Sequence, residues 1–231
     1  MILEKEMIHM TELEAMQRRH SVRRFTNQML NPVTIAQLQY EIDSCNSTQG
    51  MHIQLVTEEP EAFSGILAHY GSFSGVRNYI ALVGPKQPGL EEKLGYWGEK
   101  LVIKAQMLGL NTCWVALTFS KKKAKIQIGP KEKLVCVIAL GYGENQGKAH
   151  KNKPMESLYD AQEPIPLWFL RGVQAAMLAP TAVNQQKFKF IQAGATVKPV
   201  CTGGPMSKID LGIVKYHFEI GAGKENFTWK E

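Results

Sequence analysis

The chain has 231 residues, of which 44% are hydrophobic and 21% are charged. This composition is typical of a globular protein and excludes disordered and fibrous classes, and the length allows one large domain or two small ones. The net charge of +6 permits an anionic partner without requiring a polymer. No apolar run approaches the roughly 20 residues of a membrane span. Residues 1–10 lack the apolar core of a signal peptide, so we predict a cytoplasmic protein with no membrane partner.

Neither the cysteines nor the lysines form a pattern that predicts a metal or nucleic-acid site. The four cysteines are widely spaced and form no Cys-x-x-Cys pair, which favours neither metal binding nor a disulfide framework. Cys136 lies in the apolar run 134–138 and is expected to be a buried thiol. The basic run 121–125 has no interleaved aromatic residues. It therefore favours a solvated surface, and we predict no nucleic-acid partner.

The first part of the chain predicts alternating helices and strands. Helices are predicted over residues 10–20 and 32–45, and strands over 51–56, 79–83 and 134–140. In the first helix Leu13 and Met16, with Val22 beyond it, are expected to face inward. Asn31 and Pro32 provide an N-cap and a first-turn proline for the second helix.

The clearest predicted helix lies between the last two of these strands. Its apolar stripe has helical spacing and consists of Leu90, Leu94, Trp97, Leu101, Ala105 and Leu108. Gly109 suits its C-cap. Gly95 and Gly98 lie within the helix, and each costs about 1 kcal/mol relative to alanine. This cost indicates the close approach of another helix, with tolerated surface glycines as the alternative.

The rest of the chain, residues 151–231, predicts a shorter second half. Residues 147–166 predict a linker, and later segments predict a helix over 166–177, a strand over 188–192 and a helix over 209–220. Parts of this half repeat the first, since Leu38 aligns with Val173 and, at another offset, Gly98 with Gly212. We interpret residues 1–150 and 151–231 as two related halves, a pseudo-dimer packed as one compact unit.

Two polar segments are candidates for a binding site. In the segment 19–25, Arg19, Ser21 and Arg23 alternate, which places them on one face of an extended chain. Guanidinium groups bind phosphate oxygens in a bidentate way and serine adds a donor, although two such arginines are more often a solvated surface. The segment 179–186 follows a helix stop with hydroxyl and amide side chains. These suit the polar edge of a flat heterocycle, and ordinary turn chemistry is the competing interpretation.

Together these segments resemble the nitroreductase superfamily. The order Arg-x-Ser-x-Arg-x-Phe is similar to the family's phosphate-binding opening. The second segment resembles its Ala-Pro-Ser, Asn and Gln motif, although Thr181 replaces serine and Lys187-Phe188 replaces Pro-Trp. Residues 109–116 and 141–143 resemble the Gly-Leu-Gly-Thr and Leu-Gly-Tyr elements of the family.

The resemblance implies an α+β nitroreductase-like fold and bound flavin mononucleotide (FMN). The fold would have a central, mainly antiparallel sheet flanked by helices, with the two related halves fused in one chain. The implied FMN-binding residues are Arg19, His20, Ser21, Arg23, Lys151 and Lys153 around the phosphate, and Ala116, Leu117, Pro180, Thr181, Asn184 and Gln186 around the ring. No side chain needs to act as a catalytic acid or base.

The implied activity is NAD(P)H-dependent reduction of a nitroaromatic, a quinone or a similar small acceptor, by hydride transfer through flavin N5. The arginine motif occurs only in the first half and the Pro-Asn-Gln motif only in the second. We therefore expect one site per chain, formed between the halves, in a monomer or a homodimer. Two alternatives remain open: a flavin carrier or sensor without turnover, and a relative that consumes flavin.

Overall fold

The computed structural model describes residues 10–230. The helices in this range are α1 Glu12–Arg18, α2 Pro32–Gln49, α3 Ile66–Tyr70, α4 Leu90–Met107, α5 Leu167–Ala176 and α6 Ser207–Ala222. The strands are β1 Gln54–Val56, β2 Asn78–Pro85, β3 Asn111–Val115, β4 Glu132–Gly141, β5 Tyr159–Ala161, β6 Phe188–Ala193, β7 Thr196–Cys201 and β8 Thr228–Trp229. Within the described residues, no helix combines the length and apolar character that crossing a membrane requires.

The strands form two four-stranded sheets. The first has the order β1-β2-β4-β3 and is antiparallel throughout. The second has the order β5-β6-β7-β8, with an antiparallel central pair and parallel outer pairs. The predicted α+β fold with mainly antiparallel pairing is thus confirmed, and its strands are divided between two sheets. Each sheet belongs to one part of the chain, because no strand of the first pairs with a described strand of the second.

Several local predictions differ from the structure. Helix α2 runs beyond residue 45 to Gln49, because it meets no proline before Gly50, which ends the helix at a φ of 63°. Residues 147–166 are more than a linker, since they contain β5, which pairs with β6. Leu13 is 43% exposed, against the prediction, whereas Met16 and Val22 are buried as expected. Residues 1–9, to which the signal-peptide prediction applies, lie outside the described range.

The main hydrophobic core lies between the sheets and contains helices from both parts of the chain. Its buried side chains come from α2, α4, α5 and α6 and from both sheets. A second cluster covers the other face of the first sheet and includes Val22 and Phe25 of the arginine segment. These two apolar residues thus fix the position of the arginine segment. Cys136 is buried as predicted, and burial raises the pKa of its thiol to about 12.

Helices α4 and α6 touch through their backbones at two glycines. A Cβ atom on Gly95 would lie 2.2 Å from the carbonyl oxygen of Ile209, and one on Gly212 would lie 1.9 Å from that of Glu92. Ile209 lies three residues before Gly212, and Glu92 lies three residues before Gly95. The two contacts are therefore equivalent, as an approximate two-fold rotation between the helices requires. The helix approach expected at Gly95 is confirmed.

Gly98 serves a different purpose from the one predicted. A Cβ atom there would lie 2.5 Å from Cη2 of Trp114, which is on β3. Gly98 therefore allows α4 to pack on the first sheet, since the atoms nearest to this Cβ position belong to Trp114 and to Leu82 of β2. The sequence alignment of Gly98 with Gly212 is wrong for the same reason, because the partner of Gly212 is Gly95.

We predict that Gly212→Ala destabilises the chain. Alanine would gain about 1 kcal/mol of helix propensity. That gain is smaller than the cost of a Cβ atom 1.9 Å from a backbone oxygen, which cannot rotate away. We expect a net loss of about 1–3 kcal/mol in unfolding free energy, measured by urea denaturation. Gly65→Ala is the control, because its Cβ would meet open space; equal stability of the two variants would contradict the helix contact.

Candidate functional site

A cavity of about 790 Å³ lies where the arginine segment meets the segment 179–186. Its volume is within the usual range for a site that holds a small organic ligand. The residues lining it come from four stretches of the chain: Arg19, His20, Ser21, Arg23 and Arg24; Ser72; Asn145, Gly147, Lys148 and His150; and Pro180, Thr181, Val183 and Asn184. The fold therefore brings together two segments that are far apart in the sequence.

The arginine segment is extended and held by backbone hydrogen bonds on both sides. The amide of Val22 donates to the carbonyl of Thr112 on β3 at 3.0 Å, and the amide of Phe25 donates to the carbonyl of Ser74 at 3.0 Å. Since Val22 points into the core, the alternation of an extended chain directs its neighbours Ser21 and Arg23 to the opposite side. This geometry explains why both of them line the cavity.

Arg19 is buried at the base of the cavity and is poorly paired. Its side chain is only 3% exposed, and burial lowers the pKa of its guanidinium group. Nη2 donates to the carbonyl of Leu178 over 3.5 Å, and Nε lies 3.8 Å from Oε1 of Glu99. Nε makes no hydrogen bond with any described residue. Because a buried cation with unused donors is costly, Arg19 is suited to bind an acceptor-rich ligand.

The segment 179–186 forms a strained turn that helix α6 anchors. Val183, Asn184 and Gln186 have φ angles of 47°, 55° and 45°, and such values are rare for a β-branched residue such as valine. Asp210 of α6 accepts hydrogen bonds from the amide of Ala182 at 2.9 Å and from Nε2 of Gln185 at 2.7 Å. Strained backbone that is held from outside is common at ligand sites.

Gln186 joins this turn to residues 151–153. Its Oε1 accepts from the amide of Lys153 at 3.0 Å, and its Nε2 donates to the carbonyl of Lys151 at 2.8 Å. Asn184 donates to the same carbonyl at 2.9 Å and accepts from Gln186. The amide of Gln186 is therefore occupied within the protein, and this residue holds the turn in place instead of lining the cavity.

The predicted site residues fall into two groups. Those that line the cavity are Arg19, His20, Ser21, Arg23, Pro180, Thr181 and Asn184; those that do not line it are Ala116, Leu117, Lys151, Lys153 and Gln186. Leu117 is an exposed residue shortly after β3.

Six further lining residues were not assigned from the sequence: Arg24, Ser72, Asn145, Gly147, His150 and Val183. Lys148, which matches a basic position of the family's phosphate site, also lines the cavity. The sequence does indicate the loop that contains Asn145 and Gly147, because the glycine-rich residues 141–147 follow a buried strand and predict a tight loop. Gly147 has a φ of 73°, and a Cβ there would lie 2.7 Å from that of His20. The loop therefore reaches the cavity by packing closely against the arginine segment.

The cavity is positively charged. Its lining includes Arg19, Arg23, Arg24 and Lys148, and none of the lining residues is acidic. Burial and the nearby Arg19 and His150 lower the pKa of His20. Among residues 10–230, no cluster of His, Cys, Asp and Glu side chains is arranged to hold a metal ion. Fold and site together define an α+β protein with a cationic small-molecule site.

Comparison with known proteins identifies the family. A family model described as "Putative TM nitroreductase" matches residues 12–222. Among solved structures, a "putative nitroreductase" from Thermotoga maritima MSB8 is 22% identical, with a TM-score of 0.66 and coverage of 94% of this chain and 86% of that chain. Comparison with curated proteins yields no match.

Two other solved structures share the fold at lower identity. A "putative nitroreductase" from Desulfovibrio desulfuricans, in complex with FMN, is 17% identical with a TM-score of 0.53, covering 67% of this chain and 98% of that one. A "Putative NADH dehydrogenase/NAD(P)H nitroreductase" from Bacteroides thetaiotaomicron VPI-5482 is 15% identical with a TM-score of 0.50, covering 64% and 95%. Because the family model spans most of the chain, the chain belongs to this nitroreductase family and is an oxidoreductase.

We predict that Gln186→Ala loosens the loop beside the cavity. The change removes the acceptor of the Lys153 amide. Loss of one such hydrogen bond, worth about 1 kcal/mol, should speed exchange of that amide roughly five- to tenfold. Hydrogen exchange measured by NMR checks this, with the exposed neighbour variant Lys187→Ala as the control. Unchanged exchange at Lys153 would show that Gln186 does not hold the loop.

Proposed function

We propose that the chain binds FMN in this cavity and uses it to transfer reducing equivalents from NAD(P)H to a small organic acceptor. The observation that carries the proposal is the buried, poorly paired Arg19 at the base of a cavity whose lining contains cations and no acid. A ligand with a phosphate group would supply the missing acceptors and the missing negative charge. The FMN complex of the Desulfovibrio desulfuricans relative supports this choice of ligand.

The lining residues fit the two chemically different ends of FMN. On this proposal Arg19, Ser21 and Arg23 hold the phosphate with His20 beside them, and Lys148 adds positive charge at the same cavity. Pro180 offers a rigid turn and Thr181 a hydroxyl to the ring. Asn184 lines the same side of the cavity, with its side-chain amide bonded to Lys151 and Gln186. Lys151, Lys153 and Gln186 contribute by fixing the turn. The assignment of Ala116 and Leu117 to the ring remains a proposal from the resemblance.

We further propose that each chain has a single such site, formed between two related halves. The approximate two-fold contact of α4 with α6 supports the pseudo-dimer. The counterpart of the 179–186 turn in the first half would be residues 44–51, where α2 continues as helix to Gln49. Asn46 there is bonded to both backbone polar groups of Ile53, at 2.8 Å each. A second turn of the same kind is thus absent from residues 44–51.

The chemistry of the proposed reaction falls mainly to the cofactor. Bound FMN would supply the hydride- and electron-transfer chemistry, which no amino-acid side chain provides. The chain would bind and orient the cofactor, and its cations and backbone amides would favour negative charge in the site. Because FMN would carry the hydride and electrons, the proposal needs no side chain as catalytic acid or base.

We predict that Arg23→Ala weakens FMN binding. Loss of a hydrogen bond to a charged group should cost about 1.5–3 kcal/mol, measured as the dissociation constant by titration of flavin fluorescence. Arg18→Ala is a matched control, because Arg18 is an exposed arginine near the same segment but outside the cavity lining. FMN affinity that is the same in both variants would contradict the phosphate assignment.

Turnover is tested on the FMN-loaded protein under anaerobic conditions. We expect NADH or NADPH to bleach the visible flavin absorption, and a quinone or nitroaromatic compound to restore it. Retained FMN without bleaching would contradict the proposed enzymatic activity and would indicate a flavin carrier or sensor instead. Loss of flavin in the presence of oxygen, with new products by mass spectrometry, would indicate a flavin-consuming protein instead.

A further inference from the structure

A buried pair of titratable residues lies behind Arg19 and has no part in the function proposed so far. Glu99 on α4 and His217 on α6 are both fully buried. Nε2 of His217 lies 2.9 Å from Oε1 of Glu99, and the other carboxylate oxygen accepts a hydrogen bond from Nε1 of Trp114 at 2.8 Å. The same Oε1 of Glu99 lies 3.8 Å from Nε of Arg19. The pair therefore joins the two central helices to the arginine that lines the cavity.

The hydrogen-bond geometry requires a proton shared by this pair. Nδ1 of His217 lies 3.1 Å from the carbonyl oxygen of Ala175. A carbonyl only accepts, so Nδ1 must carry a hydrogen. The contact between Nε2 and Glu99 then needs a second hydrogen, which sits either on the imidazole or on the carboxyl group. In both cases the pair of Glu99 and His217 is neutral overall.

The shared proton decides how much charge Arg19 presents to the cavity. With the proton present, the group of Arg19, Glu99 and His217 has a net charge of +1. Without it, the carboxylate of Glu99 would cancel the charge of Arg19. Arg19 makes just one long hydrogen bond with the described residues, at 3.5 Å, so its remaining donors are free for a ligand. A net positive charge that is buried at the base of a cavity favours an anion there.

We propose that His217 is a positioning residue that keeps the charge of Arg19 available for the phosphate of FMN. His217 holds a proton against Glu99 and so prevents Glu99 from neutralising Arg19. Glu99 in turn accepts from Trp114 and fixes the two helices beside the guanidinium group. The inference rests on the proposed function, because it takes the phosphate of FMN as the ligand of Arg19.

Three variants test the proposal through the dissociation constant for FMN. His217→Gln removes the proton, leaves the carboxylate of Glu99 facing Arg19 and should weaken FMN binding about tenfold or more. Glu99→Gln keeps the acceptor for Trp114 and adds a donor for a neutral His217, so the affinity should stay within about threefold of the wild type. The double variant, Glu99→Gln with His217→Gln, has no carboxylate to cancel Arg19 and should regain affinity to the same degree.

Recovery in the double variant separates charge from structure. If the pair had only a structural role, the double variant would bind FMN no better than His217→Gln, and that result would overturn the proposal. A tenfold loss in Glu99→Gln alone would overturn it as well, and this variant decides the question if His217→Gln does not fold. Riboflavin lacks the phosphate, so its affinity should be equal in all four proteins; parallel losses for riboflavin would also count against the proposal. Failure of the wild type to bind FMN would instead refute the proposed function itself.

Discussion

The backbone contact between α4 and α6 is the constraint on which the rest of the structure depends. Two helices approach this closely only where both lack a side chain, and Gly95 and Gly212 meet that condition on facing surfaces. The contact places the two parts of the chain against each other, each with its own sheet. It thereby fixes the distance between the arginine segment and the turn of residues 179–186, which are separated by most of the sequence.

Helix α6 is also linked to the arginine segment and to the turn of residues 179–186, through the polar side chains of His217 and Asp210. Asp210, near its start, accepts from the turn of residues 179–186 and keeps its strained backbone in place. His217, further along, contacts Glu99 and through it the guanidinium of Arg19. Buried polar groups of this kind are costly unless they are paired, and their pairing across the two central helices makes the relative position of the helices specific. The same element therefore links the core to the binding site.

The sequence predicted the elements whose pattern is local and strong. The stripe of α4 gave its bounds to within one residue, and the apolar runs of β2 and β4 identified the centre of the first sheet. It did not predict the short helix α3 or the strands β3, β5, β7 and β8, because these strands are short or polar and form by pairing with a neighbour. The two motifs were found because each has its own residue order. The contact of Glu99 with His217 could not be predicted from the sequence, since it depends on how α4 and α6 pack and the two residues are far apart in the chain.

The packing of α4 against α6 would create one FMN site per chain. The flavin content of the loaded protein tests this most directly. The purified chain is incubated with excess FMN and desalted, and the bound flavin is then quantified by visible absorption against the protein concentration. We predict one FMN per chain. Complete loss of flavin on desalting would contradict a tight site between the two segments, and two FMN per chain would contradict the single site inferred from the helical end of α2.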